Sequence, residues 1–317
     1  MGRYIARRLI QLIPLLIGIS LLSFAIIHFA PGDPARLLVD PEQATPERYR
    51  ELRAELGLDD PLPLQYAKTM VALARGELYS YRTRQPVITL VAERMPTTLT
   101  LGLLAIAVGV LVGAGVGILQ ALRPNGVLDY LGTLVALFGF TVPSFWLGLM
   151  LIMLFAVRLH WLPVSGIRPP LATGWNPLEM APYLVMPTIV LSTGLMGTIA
   201  RYVRSSMLES LGQDYVRTAH AKGLRRRTVV IRHALRNSLL PVITLLGFTL
   251  PFLISGAAIV ESIFSLPGVG RLALDSVFIR DYPVVITVTI FSAIASVLGN
   301  LIADVLYGVA DPRIQYS

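Results

Sequence analysis

Six apolar runs, each long enough to cross about 30 Å of hydrocarbon, constrain this chain more than any other feature. They are Leu9 to Phe29, Thr98 to Leu122, Leu128 to Val157, Tyr183 to Ala200, Leu239 to Val260 and Pro283 to Val309. The fourth is the least regular, because it contains Pro187 and grades into polar residues by Arg201. With 54% hydrophobic and 15% charged residues among 317, the chain matches a bilayer better than water. Lipid offers no partner to an unpaired backbone group, so such runs fold as helices. The expected fold class is all-α, a polytopic membrane helix bundle of six transmembrane helices.

Residues 1 to 8 carry Arg3, Arg7 and Arg8 ahead of the first run, the arrangement shared by signal peptides and membrane anchors. A signal-peptide core is about 7 to 15 residues and ends in small residues that allow cleavage. This run is longer and leads into Ala30-Pro31-Gly32-Asp33-Pro34, so it reads as a retained helix. Placing the amino end inside puts segments 1–8, 121–128, 201–236 and 309–317 in the cytoplasm, and these hold 14 of the 27 basic residues. Most acidic residues fall on the other side, which satisfies the positive-inside rule with both termini cytoplasmic. The expected parts are an N-terminal transmembrane helix (1–30), a small extracytoplasmic segment between helices 1 and 2 (31–96), and a core of five helices (97–317) with a cytoplasmic loop at 201–236.

The outer segment reads as folded. Thr45 can cap a helix with Pro46 at its first position, Glu47 in the first turn and Gly57 beyond its end. A second short helix is expected from about Leu62 to Ala74, before Gly76. Two readings stay open for this segment: a surface cap on the membrane domain, or a docking surface for an external partner. Within the second run Gly109, Gly113 and Gly117 recur every four residues and share one helical face. That spacing lets two backbones approach closely in lipid, within the chain or between subunits. Pro143, Pro187 and Pro251 each interrupt a run, as transport bundles tolerate where neighbours or a cavity satisfy the freed carbonyls.

Several chemistries are excluded. There is no cysteine, hence no disulfide, thiolate site or cysteine nucleophile. Neither lysine, Lys68 or Lys222, sits in a phosphate-cradling G-x-x-x-x-G-K-[ST] loop, and His28, His160, His220 and His233 form no H-E-x-x-H pair. Basic residues are almost all arginine and no basic stripe carries interleaved aromatics, so nucleic acid is not an expected partner. Ion-coupled transport needs charged groups near the midplane, each costing about 2.5 to 3.5 kcal/mol to insert. The runs are nearly uncharged, with Asp304 as the main exception. No catalytic residue, metal or cofactor is expected in this chain, and the source of energy lies on another polypeptide.

The loop from Arg201 to Arg236 is the most informative stretch. Asp214 can cap a short helix from Tyr215 to Lys222, and Gly223 supplies a left-handed stop. A second helical stretch is expected from about Thr228 to Asn237. Val216 and Ala219 lie on one side of the short helix among Arg217, His220 and Lys222. Held rigidly between two spans, it could transmit a push from a soluble partner; its charges could equally anchor the loop to anionic lipid.

At these residues the sequence resembles the permeases of binding-protein-dependent ABC importers, whose loop reads E-A-A-x-x-x-G and docks on the ATPase. Aligned on Gly223, only Ala219 and the glycine match, with Arg217 at the glutamate position. The peptide and nickel branch of that family resembles D-Y-V-R-T-A-x-A-K-G-L, which Asp214 to Leu224 matches with His220 at the variable place. Ala30-Pro31-Gly32-Asp33-Pro34 resembles the branch's B-type subunit. Pro143-Ser144-Phe145-Trp146, His233 to Asn237, Glu261 to Arg271, Arg280-Asp281-Tyr282-Pro283 and the end at Asn300, Asp304, Tyr307 and Asp311-Pro312-Arg313 occur in the family's order. One departure is Gly76-Glu77-Leu78-Tyr79-Ser80, where relatives often show glycine-aspartate before a glycine and a serine.

The resemblance implies a type I ABC importer permease fold in a bacterial or archaeal cell (inner) membrane. It implies a complex with a second homologous permease subunit, two ATPase subunits that hold ATP and Mg, and an extracytoplasmic solute-binding protein. Asp214, Tyr215, Arg217, Ala219, Lys222, Gly223 and Leu224 would form the ATPase-coupling element. Asp33, Glu261, Pro267, Gly268, Gly270, Arg271, Arg280 and Asp281 would belong to the extracytoplasmic loops, with Glu261 and Arg271 ordering them. Di- and oligopeptides are the expected solutes, with nickel complexes, glutathione or sugars as alternatives. A secondary transporter or channel working alone is the rival from a different class.

Overall fold

Once water is removed as a backbone partner, runs of Leu, Ile, Val and Ala are left with helix, and every named element among the described residues is one. The computed structural model describes residues 2–29, 31–39, 45–170, 172, 174–235, 238, 242, 245, 249 and 257–310. In chain order the helices are α1 (Gly2–Phe29), α2 (Pro34–Leu38), α3 (Pro46–Glu55), α4 (Leu62–Arg75), α5 (Val87–Leu122) and α6 (Val127–Thr141). Then come α7 (Ser144–Leu151) with a π-helical continuation (Ile152–Arg158), α8 (Pro177–Leu211), α9 (Asp214–Ala221), and α10 (Arg226–Thr228) with a second π-helical turn (Val229–Leu235). Beyond a stretch outside the described residues lie α11 (Ala258–Ile263), α12 (Val269–Ile279) and α13 (Tyr282–Ala310).

Among the described residues four helices hold windows long and apolar enough to cross a membrane: Ile10–Phe29, Val87–Leu122, Pro177–Leu211 and Tyr282–Ile302. The third expected run needs correction. It is not one straight helix but two, α6 and the Ser144–Arg158 stretch, bent by 104°. Pro143 cannot donate to the preceding turn and pushes Val142 to extended backbone (φ −80°, ψ 121°), so the helix stops there. The fourth is longer than expected: α8 runs 35 residues, about 52 Å, straight through Pro182, Pro187 and Arg201. Most of the expected fifth run, Leu239 to Val260 with Pro241 and Pro251, lies outside the described residues, as do Asp311, Pro312 and Arg313 and the side chain of Asp304.

The chain divides into two compact units. Met1–Leu99, Ile254–Ala258 and Pro267–Val297 form the first. Here Thr45 accepts from the Arg48 N–H (3.2 Å) at the start of α3, as its type and position lead one to expect. Gly57 (φ +66°) and Gly76 (φ +74°) take the left-handed conformation that ends α3 and α4. Val87, Leu90 and Val91 of α5 pack on Val269, Leu272, Val284 and Val288, while Phe24 of α1 packs on Ile286 and Ile290.

Thr100–Leu253, Ile259–Leu266 and Leu298–Ser317 form the second unit. The glycine stripe packs within the chain. A Cβ on Gly113 would stand 2.7 Å from the Met196 carbonyl oxygen, and one on Gly117 would stand 2.5 Å from that of Ala200. Those glycines let α5 lie backbone to backbone against α8. From the other side Gly139 and Gly197 bring α6 equally close to α8, where an added Cβ would lie 2.7 Å from Thr193 O and 2.8 Å from Ala136 O respectively.

Candidate functional site

The short helix α9 forms where the sequence places it, with one correction. Asp214 is its first helical residue rather than its cap, and the N-cap, Gln213, makes no side-chain cap bond. The Asp214 carboxylate instead accepts from Arg217 Nη1 at 3.4 Å. Both side chains are at least four-fifths exposed, so the pair contributes little. Val216 and Ala219 are buried against Val229 of the second π-helical turn. That contact seats α9 on the Val229–Leu235 segment. Arg217, His220 and Lys222 are exposed, Tyr215 and Leu224 are 40% exposed, and together they make an outward face that is basic.

The turn after α9 closes through Gly223 N–H to His220 O (2.9 Å) and Leu224 N–H to Ala219 O (3.3 Å). Gly223 stands at φ +76°, and no atom lies within 4 Å of where its Cβ would be. Its requirement is therefore backbone conformation, not space. Residues 226–235, expected as ordinary helix from Thr228, are a single α-turn leading into the π-helical turn, so the second stretch is wider than the sequence suggests.

A polar cluster not legible in the sequence ties the α5–α6 turn to α8. Arg204 donates from Nε to Asp129 Oδ1 (2.6 Å) and from Nη2 to Asp129 Oδ2 (2.7 Å), a two-point guanidinium–carboxylate pair. The Asn125 N–H also reaches Oδ2 (2.9 Å), and Gln120 Nε2 donates to the Asp129 carbonyl (3.0 Å) and Thr133 Oγ1 (3.2 Å). Asp129 and Gln120 are buried. Nearby the Arg201 guanidinium carbon sits 4.7 Å from the Phe140 ring centroid, a cation–π contact between α8 and α6. A signal existed: Asn125-Gly126 before Asp129 marks a tight turn, and Arg201 and Arg204 fall one helical turn apart.

In the first unit, motifs some 250 residues apart in sequence meet. Asp33 caps α2 by accepting from the Ala35 N–H (2.9 Å) and pairs with Arg53 of α3. Asp59 and then Asp33 hold the Arg53 guanidinium above its ordinary value by hydrogen bonding. Arg280, itself at φ +58°, donates to the Pro31 carbonyl and covers Gly32. Asp281 is buried and accepts from Ser80 Oγ and from the Tyr81 (3.0 Å) and Arg82 (3.4 Å) amides. Ser80 belongs to the stretch that departs from the family pattern, yet it keeps the serine that makes this contact. Burial, and after it the neighbouring Asp281 charge, pushes the Tyr81 phenol up, so it stays neutral at any physiological pH.

Of the remaining loop residues, Pro267 and Gly268 lead into α12, where the Thr98 hydroxyl accepts from the Val269 N–H (2.8 Å) in place of a side-chain cap. Gly270 is buried on α12, and Arg271 Nε lies 3.6 Å from Asp275 one turn on. Glu261 belongs to the second unit, fully buried, with its backbone carbonyl accepting from Leu266 N–H (2.8 Å). Asp33, Arg280 and Asp281 are thus gathered in one unit and Glu261 in the other.

Gly32→Ala is expected to destabilise the first unit. Gly32 stands at φ +120°, and a Cβ there would meet Arg280 Cζ at 2.6 Å. The backbone strain amounts to about 1 to 3 kcal/mol, a drop of several degrees in melting temperature measured by size exclusion after heating. An unchanged midpoint would show that the Pro31–Arg280 contact is dispensable.

A family model described as "Binding-protein-dependent transport system inner membrane component" matches residues 105–316, and its N-terminal companion matches residues 1–102. The chain belongs to that family. Among relatives of this inner membrane component, the oligopeptide transport system permease protein AppB of Bacillus subtilis is 43% identical over the whole of both chains. The dipeptide transport system permease protein DppB of Escherichia coli is 41% identical over the same extent. A solved chain from the inward-facing MetNI methionine ABC transporter covers 72% of this chain and 99% of its own length at a TM-score of 0.56 and 19% identity. A second, from an amino acid ABC transporter, aligns over 72% at a TM-score of 0.50 and 15% identity. These solved structures support the fold, an ABC importer permease bundle, and the apolar helices fit a multi-pass inner membrane protein.

Proposed function

We propose that the chain is one of two permease subunits of an ABC importer for di- or oligopeptides, coupled to its ATPases through α9. The peptide assignment rests on full-length relatives named for oligopeptide and dipeptide transport. One observation carries the coupling role: α9 is held from behind by Val216 and Ala219 on Val229, while Tyr215, Arg217 and Lys222 face outward. A helix anchored on one side and charged on the other can take a load from a soluble partner without melting.

In this reading ATP hydrolysis takes place on two partner ATPase subunits with Mg, and a second permease completes the pathway. Six helices cross the inner membrane with both termini in the cytoplasm. Closure of the ATPases shifts α9, α8 moves with it through the short Gly212-Gln213 link, and the pathway opens outward to receive solute from a binding protein. The Asp33, Arg280 and Asp281 contacts stiffen the outer side where that protein docks. No covalent chemistry is needed in this chain.

Uptake of labelled dipeptide by the complete complex in proteoliposomes tests the proposal. Replacing Arg217 and Lys222 together by glutamate changes only exposed side chains, so folding persists while charge complementarity with the ATPase is inverted. Uptake is expected to fall about tenfold, with the ATPases still hydrolysing ATP in detergent. Undiminished uptake would remove the coupling assignment. Accumulation driven by an ion gradient with no ATPase present would remove the importer reading altogether.

A further inference from the structure

The end of α5 and the start of α10 enclose a groove of about 500 Å³ in the second unit. Its lining is of two kinds, apolar and basic. Ile118 and Leu122, four residues apart on one face of α5, form one apolar side, and Val230 and Ile231 of the π-helical turn form the other. The rest of the lining is Arg123, the residue after α5 ends, and Arg226 and Arg227, the first residues of α10. No acidic side chain lines it among the described residues.

We propose that this groove binds an anionic phospholipid, with the phosphate on Arg123, Arg226 and Arg227 and an acyl chain against the apolar walls. Depth supports the choice. Leu122 ends a helix apolar enough to cross a membrane, and the change from Leu122 to Arg123 is where the proposed orientation sets the headgroup level, with Ile118 one turn to the apolar side. Basic pockets between membrane helices attract anionic headgroups for the same reason. Guanidinium groups suit phosphate because their planar forks donate two parallel hydrogen bonds. A soluble partner would have use for the arginines but none for apolar walls that continue into the span. The volume falls in the range of small-molecule sites. Ile231 is 51% exposed and adds an open apolar surface to the groove. A bound lipid there would bridge α5 to the segment that carries Val229, the residue on which α9 is seated. The inference depends on the chain spanning a bilayer and not on the identity of the solute.

The test uses the complete complex, purified in mild detergent and exchanged into nanodiscs of phosphatidylcholine carrying increasing phosphatidylglycerol. Native mass spectrometry counts retained phosphatidylglycerol. Wild type is expected to hold it in preference to phosphatidylcholine, and R123Q/R226Q/R227Q to lose roughly a hundredfold in apparent affinity. Inorganic phosphate in excess is expected not to displace it, because the acyl contacts are missing. Equal retention by the variant overturns the proposal. A photo-crosslinking residue at Ile231 in an otherwise unaltered complex guards against a variant that fails to assemble. An adduct of phospholipid mass supports the site, and an adduct to an ATPase polypeptide overturns it in favour of a protein interface.

Discussion

Gly117→Val is expected to lower the stability of the folded protein by about 3 kcal/mol, whereas Gly115→Val two residues away is expected to be tolerated. The contrast arises from the surroundings of each position. A Cβ at Gly117 would meet Ala200 O at 2.5 Å, Val203 Cβ at 2.9 Å and Arg204 N at 3.1 Å, while nothing lies within 4 Å of one at Gly115. Two of the three obstructing atoms are backbone, so no rotamer change relieves the clash and α5 must move off α8. Overpacking of this sort costs about 3 kcal/mol at the upper end of its usual range, roughly a hundredfold in the folded ratio. The loss reaches further than one contact. Ile199, Val203 and Met207 of α8 form the second unit's core with Ala121, Val230 and Ala234, and separating α5 from α8 opens it. Fluorescence-detected size exclusion of both variants, expressed at matched levels, reads the difference. Equal monodisperse peaks would show that α5 and α8 can part without penalty.

How far the sequence foretold this arrangement depends on the residue. The glycine stripe was legible as a close-packing face because its period is a helix property, but its partner was not. Nothing in Gly109, Gly113 and Gly117 themselves distinguishes α8 of the same chain from a second subunit. Thr45, Gly57, Gly76 and Gly223 were legible in detail, since caps and left-handed stops depend on a few adjacent residues. The bend at Pro143 was visible as a break, yet its 104° angle depends on what packs beside it. Failure was greatest for polar groups with distant partners. Asp129 and Arg204 are 75 residues apart, so the spans looked almost free of charge except for Asp304. Ser80 looked like part of a departure from the family pattern, although it bonds Asp281 some 200 residues away. Local chemistry is written locally, and a contact between elements becomes visible only when the elements are assembled.

Asp129→Ala is the second large effect, and its cause is electrostatic. Removing the carboxylate takes the acceptor away from Arg204 Nε and Nη2 and from the Asn125 amide at one stroke. The arginine side chain is only 31% exposed and the aspartate 6%, so water cannot fully replace the pair. Stranding a partly buried charge in this way costs about 3 kcal/mol, the low end of the range because the guanidinium keeps some solvent contact. Asp129→Asn should lie between the two, since it keeps one oxygen for the Asn125 N–H but sets an amide against the guanidinium. The double variant Asp129→Leu with Arg204→Leu is expected to recover most of the loss, because two apolar side chains leave no orphaned charge at this site. A thermal double-mutant cycle on the complete complex separates that pairwise contribution from packing. Transport should discriminate further. Arg204 lies two turns before the end of α8, and α8 leads through Gly212 and Gln213 into α9, so releasing the clamp frees the segment that carries the coupling helix. Uptake by Asp129→Ala at low temperature, where the complex still holds together, is therefore expected to fall while ATP hydrolysis continues. If hydrolysis and uptake declined in strict proportion to folded protein, the ion pair would be a stabilising element only.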